Sequence, residues 1–242
     1  TNSFNRWQVT QMLVNRMLLQ GHGEKSSPEI YLQVVAQALP ELAANDEMLA
    51  ARLLDIPSAH ELASAIHKDY DPELVKAQRE GLYQQLALAL KDQWSELYKQ
   101  LPMQAYEDSA EARGNRALRN VVLDMALTAN VDGATGWAEQ QYDNASCMTE
   151  RFGALKAMVN HQLANADKYL ADFYHRFENN DLVIDLWFSV QASADAVTPD
   201  TIKSLLAHND FDWNTPNRVR SVISAFTSQP TVLWTPEGLD IY

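Results

Sequence analysis

At four points in this 242-residue chain a capping residue stands directly before proline: Ser27-Pro28-Glu29, Asp71-Pro72-Glu73, Thr198-Pro199-Asp200 and Thr215-Pro216-Asn217. Proline has a fixed φ and no N–H, so the first helical turn suits it. A Ser, Thr or Asp before it accepts bonds from the free N–H groups, and an acid after it suits the positive end of the helix dipole. Each triplet marks a helix start. The fourth breaks the pattern: no acid follows, and Arg218 and Arg220 stand in the first two turns. The dipole disfavours cations there by up to about 1 kcal/mol, so these arginines need a reason.

Between the starts, apolar residues recur at spacings of three and four. Trp7, Met12, Leu13, Met17 and Leu18 form one row, Leu74, Leu82, Leu86 and Leu90 another, and Val121, Val122, Met125 and Ala126 a third. No strand-like alternation is present. The periodicity predicts about twelve helices, near 5–20, 28–43, 46–54, 59–67, 72–100, 109–129, 133–143, 148–163, 166–178, 180–193, 199–207 and 216–227. Short links favour antiparallel neighbours. No clean sequence repeat and no linker stand out, so the expectation is an all-α single domain over 1–242, a degenerate array of helical hairpins.

Composition narrows the partners. Nineteen Lys and Arg against 32 Asp and Glu give a formal charge of −13, which repels nucleic acid and anionic lipid. The one basic stretch, Arg113, Arg116 and Arg119, follows three acids, Glu107, Asp108 and Glu111. It reads as a solvated or paired helix face. The single cysteine, Cys147, allows no intrachain disulfide, which suits a reducing compartment. No apolar run reaches the ~20 residues of a membrane span, and no signal peptide is present. Thr1 is not an initiator Met and the chain stops at apolar "EGLDIY". Both ends read as cut from something longer, with ordinary trimming left open.

The catalytic motifs are absent or incomplete. "HELAS", His60 to Ser64, lacks the second histidine of the H-E-x-x-H zinc motif. Ser58 with Glu61 is better read as a capping box. His67 lies two turns from His60, too far to chelate one metal unaided. Asp172 with His175 occurs once, where a di-iron bundle needs paired motifs. "GHG" at 21–23 reads as a helix end and loop. Cys147 reads as an ordinary thiol. The aromatic stretches "LWFSVQA" (186–192) and "FDWN" (211–214) read as core before pocket. The residues describe a helical domain with no self-contained active site.

Several stretches resemble one family: "SFNRWQVTQ" at the start, "RALRN" at 116–120, "MTE" at 148–150, "DLVIDLWFSVQA" at 181–192 and "PNRVRSVISAF" at 216–226. In order and over essentially the whole chain they look like the C-terminal helical domain of bacterial aminopeptidase N, the M1-type zinc alanyl aminopeptidase. Two departures stand out. Thr215 replaces the family's usual Asn, and Cys147 stands where the family often has Asn. The family domain also continues with several more helices. The resemblance implies an α-α superhelix of HEAT or armadillo type, a fragment of a larger cytoplasmic peptidase. Its zinc motif lies in a separate catalytic domain, so this chain holds no cofactor, no metal and no catalytic residue.

The implied role is a cap. It packs on the catalytic domain of the same polypeptide, encloses the cavity and restricts entry to short peptides. Arg218, Arg220 and Asn217 become candidates for the substrate channel or domain interface, meeting a peptide carboxylate or the catalytic domain's acids. Two residues apart on a helix is about 200°, so the arginines cannot share a direction; the cavity role is assigned to Arg218. Structural ion pairs for both stay open. The alternatives are a free-standing helical-repeat scaffold that binds protein partners, and an independent all-helical enzyme, which needs a convergent set of acids or histidines that the chain does not display.

Overall fold

The computed structural model describes residues 3–19, 28–58, 61–62 and 71–241. All regular structure among them is helical. Contacts gather the chain into two compact units, 1–157 and 158–242.

In the first unit, α1 (Ser3–Leu19), α2 (Pro28–Asn45), α3 (Glu47–Leu53) and α4 (Pro72–Ala89) precede α5 (Lys91–Gln100), α6 (Ala110–Thr128) and α7 (Ala134–Asn144). α6 is the hub, packing on α3, α4, α5 and α7. Its contact with α3 depends on Gly114: a Cβ there would lie 3.0 Å from the Met48 backbone nitrogen. The division between units falls within α8 (Met148–Asn160). The second unit then holds α9 (Ala166–Phe177), α10 (Asp181–Ala192), α11 (Pro199–Leu206), α12 (216–227), α13 (Pro230–Leu233) and α14 (Pro236–Leu239). Its core is Ile184, Phe188, Ala192, Ile202, Leu205, Val222 and Phe226.

Two of the expected triplets act as caps. Asp71 accepts from the N–H of Glu73 and Leu74, and Thr198 from Thr201 N–H. Ser58 and Glu61 form the predicted capping box: Glu61 N–H donates to Ser58 Oγ at 3.2 Å and Ser58 N–H to Glu61 Oε2 at 2.8 Å. Ser27, "GHG", His60, Ser64 and His67 lie outside the described residues. A fifth signal of the same type, Thr235-Pro236-Glu237, starts α14, with Thr235 Oγ1 accepting from Gly238 N–H; the sequence reading passed over it.

Two expectations need correcting. The helix expected over 72–100 breaks at buried Leu90, whose φ and ψ are −112° and 16°. The indole N–H of buried Trp94 satisfies the freed Ala87 carbonyl at 2.8 Å, so the side chain replaces the next helical donor. At the start of α12, Thr215 occupies the N-cap position but caps nothing. Its hydroxyl instead donates back to Asp212 Oδ2 at 2.9 Å.

Asp212 also accepts from the Asn214 N–H and side-chain amide. These bonds, the backbone one foremost, hold its carboxyl below the ordinary carboxylate range. A depressed folded pKa contributes stability that is present above the unfolded value, about 3.9, and lost as pH falls through the depressed one. Below about pH 4, Asp212→Ala is therefore expected to show a shallower fall in melting temperature than the parent. Parallel melting curves from pH 5 to pH 2 would refute this.

A repeat invisible in the sequence appears in the hydrogen bonds. Asn130 and Gln162, 32 positions apart, both adopt left-handed backbone, with φ of 49° and 48°. Around each runs one pattern: Val131 N–H to Ala126 O and Leu163 N–H to Met158 O, then Ala134 N–H to Val131 O and Ala166 N–H to Leu163 O. These are Schellman closures of α6 and α8. Arginine follows the same spacing. Arg119 donates to the carbonyls of Tyr98 and Leu101 with its guanidinium over the Tyr98 ring. Arg151 donates to those of Tyr142 and Ala145 with its guanidinium over the Tyr142 ring. Each arginine ties the end of the preceding α5 or α7. The tyrosines are 44 apart because the loop from α5 to α6 is longer than that from α7 to α8 and Arg119 lies deeper in its helix than Arg151 does, which hides the period. Gln162 is exposed and lacks the side-chain compatibility of Asn with this conformation. Gln162→Gly is expected to stabilise the protein by about 0.5–1 kcal/mol, read as a higher melting temperature; a lower one would show that the side chain contributes more than its backbone strain costs.

Candidate functional site

Four of the five stretches that carry the resemblance resolve into two polar clusters. In the first unit, "RALRN" and "MTE" meet. Asn120 Nδ2 donates to Thr149 O at 3.1 Å, and fully buried Gln141 donates through Nε2 to Asn120 Oδ1 at 2.7 Å and to Glu150 O at 3.1 Å. Arg119 Nε donates to Gln141 Oε1 at 3.1 Å. Buried Glu150 accepts from the Ser146 N–H and hydroxyl, bracketing Cys147, a half-buried free thiol. Gly153 makes room: a Cβ would stand 2.4 Å from the Asn120 amide. Every member is satisfied inside the network, so this is architecture.

The basic stretch is paired with an upstream acid at one of its three arginines. Arg113 bridges Asp108 at 2.7 Å. Arg116 donates to Glu107 O and lies 5.5 Å over Tyr106. Arg116 and Arg119 depart from a solvated face: both are buried and bonded to backbone carbonyls.

In the second unit, α12 starts with Arg218 inside and its neighbours outside. Arg218 is 4% exposed. Its Nε donates to Asp185 Oδ1 at 2.6 Å, its Nη1 to the Asp210 carbonyl, and its Nη2 lies 3.6 Å from Asp181 Oδ1. The guanidinium sits 5.0 Å over the Phe188 ring. The dipole penalty at this helix start is thus offset by two carboxylates, a carbonyl and an aromatic face. Asn217 and Arg220 are exposed. The structure does not bring the three candidates together: Arg218 is committed within its own unit, and Asn217 and Arg220 face solvent.

Immediately after Arg218 the helix widens into a π turn, Arg220–Ser224. The Ser221 hydroxyl donates to the Arg218 carbonyl at 2.7 Å, competing with the regular backbone donor. Such turns recur at functional sites. The aromatic stretches are mainly core, as read: Phe188 is fully buried and Trp187 donates its N–H to Leu170 O. Trp213 is the exception at 62% exposed.

Sequence reasoning missed Asp185, Asp210 and Tyr174, whose hydroxyl bonds Asp210; that bond pushes the Tyr174 hydroxyl above its ordinary range. A signal was available for the first. Asp181 and Asp185 are i,i+4 on α10, a like-charge spacing that destabilises a helix unless a cation joins them.

Elsewhere, an open groove of about 470 Å³ in the first unit is lined by Trp7, Thr10, Val34, Ala38, Leu42 and Leu53 among others, with Glu41 the acid in its wall. Among the described residues no group of three or more His, Cys, Asp or Glu is placed to hold a metal, and no helix is long and apolar enough to cross a membrane. The described donors do not fit a zinc centre, so no chemical step through zinc is assigned to them.

Comparison with known proteins adds the family. Residues 1–238 match the domain of unknown function DUF3458_C, described as ARM repeats. The chain is 31% identical to aminopeptidase N of Haemophilus influenzae over 235 residues, 94% of this chain and 26% of that protein. It is 30% identical to aminopeptidase N of Escherichia coli over 244 residues, 98% of this chain and 28% of that protein. The crystal structure of Legionella pneumophila aminopeptidase A in complex with aspartic acid superposes with a TM-score of 0.84 at 27% identity, covering 100% of this chain and 30% of the other. The chain thus spans 26–30% of the length of these proteins, matching the C-terminal region of aminopeptidase N.

Proposed function

The chain belongs to the DUF3458_C family of ARM repeats, and from that premise we propose that it is the non-catalytic C-terminal cap of a zinc-dependent aminopeptidase of the M1 type. The observation that carries this reading is the coverage. The likeness to aminopeptidase N runs over 94–98% of this chain and 26–28% of those proteins. In this reading the zinc and its ligands belong to a catalytic domain elsewhere in the same polypeptide. The helical repeats enclose that domain's cavity and limit entry to short peptides. Enclosure excludes water and strengthens charge interactions with substrate. The charge of −13 and the lone thiol fit a cytoplasmic setting without nucleic acid or anionic membrane as partners.

With Arg218 committed to Asp185 and Asp210, the channel role falls to Arg220 and Asn217, both exposed. Arg220 supplies a cation for a peptide's C-terminal carboxylate. The test is direct. The purified chain is expected to release no alanine from a small amide with or without added zinc, while the product of the whole reading frame releases it. Zinc-dependent release by the purified chain would overturn the reading. The ARM-repeat likeness also favours a free-standing scaffold for protein partners; a start codon directly before the codon for Thr1 would support that reading instead.

A further inference from the structure

The buried Arg218 raises a question that its contacts do not answer on grounds of stability. A buried ion pair is weak support for a fold, since apolar residues of similar volume often serve as well or better. A cation at a helix start is disfavoured besides. What the pair does provide is direction. Arg218 Nε to Asp185 Oδ1, Nη1 to the Asp210 carbonyl and the guanidinium over Phe188 fix a single rotation of the α12 start. Val222 and Phe226 hold the same side of the helix in the core. Between these anchors, Asn217 and Arg220 are left facing outward, one residue before and two after the clamp.

The π turn sharpens this. It begins at Arg220 itself, and Ser221 closes it onto the Arg218 carbonyl. A π turn holds an extra residue, so the direction of Arg220 depends on where the helix before it is pinned. Loss of the clamp lets the start rotate toward a regular helix.

We propose that Asp185 is a positioning residue: through Arg218 it aims Arg220 at the substrate's C-terminal carboxylate. This rests on the role given to Arg220 above. The experiment is a double-mutant cycle in the product of the whole reading frame, using a short peptide with a free C-terminal carboxylate and the same peptide as its C-terminal amide. Arg220→Ala is expected to raise KM about tenfold for the acid and little for the amide, with kcat nearly unchanged. Asp185→Asn is expected to show the same split at several-fold size. The double variant is expected to be no worse than Arg220→Ala, because Asp185 acts only through Arg220.

Additive losses in the double variant would overturn the positioning role while leaving Arg220 in place. So would an Asp185→Asn loss that is equal for acid and amide. No effect of Arg220→Ala on either substrate would remove the reading of Arg220, and this inference with it. Should Asp185→Asn not fold, Arg218→Lys keeps the charge beside Asp185 and loses the fork that reaches Asp210; the same non-additivity is expected of it.

Discussion

Arg119→Ala is expected to cost about 4 kcal/mol in the first unit, a large share of the roughly 5–15 kcal/mol that keeps a typical domain folded. The guanidinium is buried. It satisfies two carbonyls, Tyr98 and Leu101, at the end of α5, bonds Gln141 Oε1, and lies 4.0 Å over the Tyr98 ring. Alanine leaves the Leu101 carbonyl without its guanidinium donor, at about 1–3 kcal/mol. It takes one of two donors from the Tyr98 carbonyl, which keeps the Leu101 N–H, and from Gln141 Oε1, which keeps the Tyr98 hydroxyl, and leaves a void in place of a packed side chain. Gln141 then loses one of the bonds that orient it toward Asn120 and Glu150. Arg119→Lys restores the charge but not the fork, so it is expected to recover less than half of the loss. The equivalent Arg151→Ala, half-buried and bonded to Tyr142 and Ala145, is expected to cost about half as much. Denaturant unfolding of the three variants checks the order. Equal losses for Arg119→Ala and Arg151→Ala, or a loss below about 1 kcal/mol for the first, would mean that water replaces the guanidinium.

How much of this was legible beforehand follows from the range over which each cause acts. Helix starts were readable because a cap acts within four residues: Asp71, Thr198 and the Ser58–Glu61 box all appear as bonds. Breaks inside helices were harder. Leu90 carries no turn signal, and the donor that stabilises the break is the Trp94 side chain. The cap expected of Thr215 failed because Asp212, three residues earlier, offers its hydroxyl a charged acceptor. The 32-residue repeat was hidden because it is written in left-handed residues and arginine forks, and two arginines with unlike neighbours look like chance. The site was half legible. That Arg218 and Arg220 must diverge follows from helix geometry, but which one is buried depends on Asp185 and Asp210, 33 and 8 residues earlier. The i,i+4 acids of α10 were the one local hint.

The same pair of residues yields the second large effect. Arg218→Ala is expected to destabilise the second unit by about 3 kcal/mol, because Asp185, 15% exposed at its side chain, is left without its partner. The Asp210 carbonyl loses its donor as well. Asp181, 95% exposed, loses little, since water already solvates it. The informative comparison is the double variant Arg218→Met with Asp185→Leu. It removes both charges and fills the space between Phe188 and the start of α12 with apolar groups. It is expected to regain all but about 1 kcal/mol of the loss. If it does, the clamp contributes little net stability, and its value lies in where it points Asn217 and Arg220; a cap that is as stable without the clamp but handles a peptide carboxylate worse is what a positioning device predicts. If the double variant is instead as unstable as Arg218→Ala, the ion pair and the Asp210 bond are themselves structural necessities, and the placement of an arginine at the start of this helix is explained by stability alone.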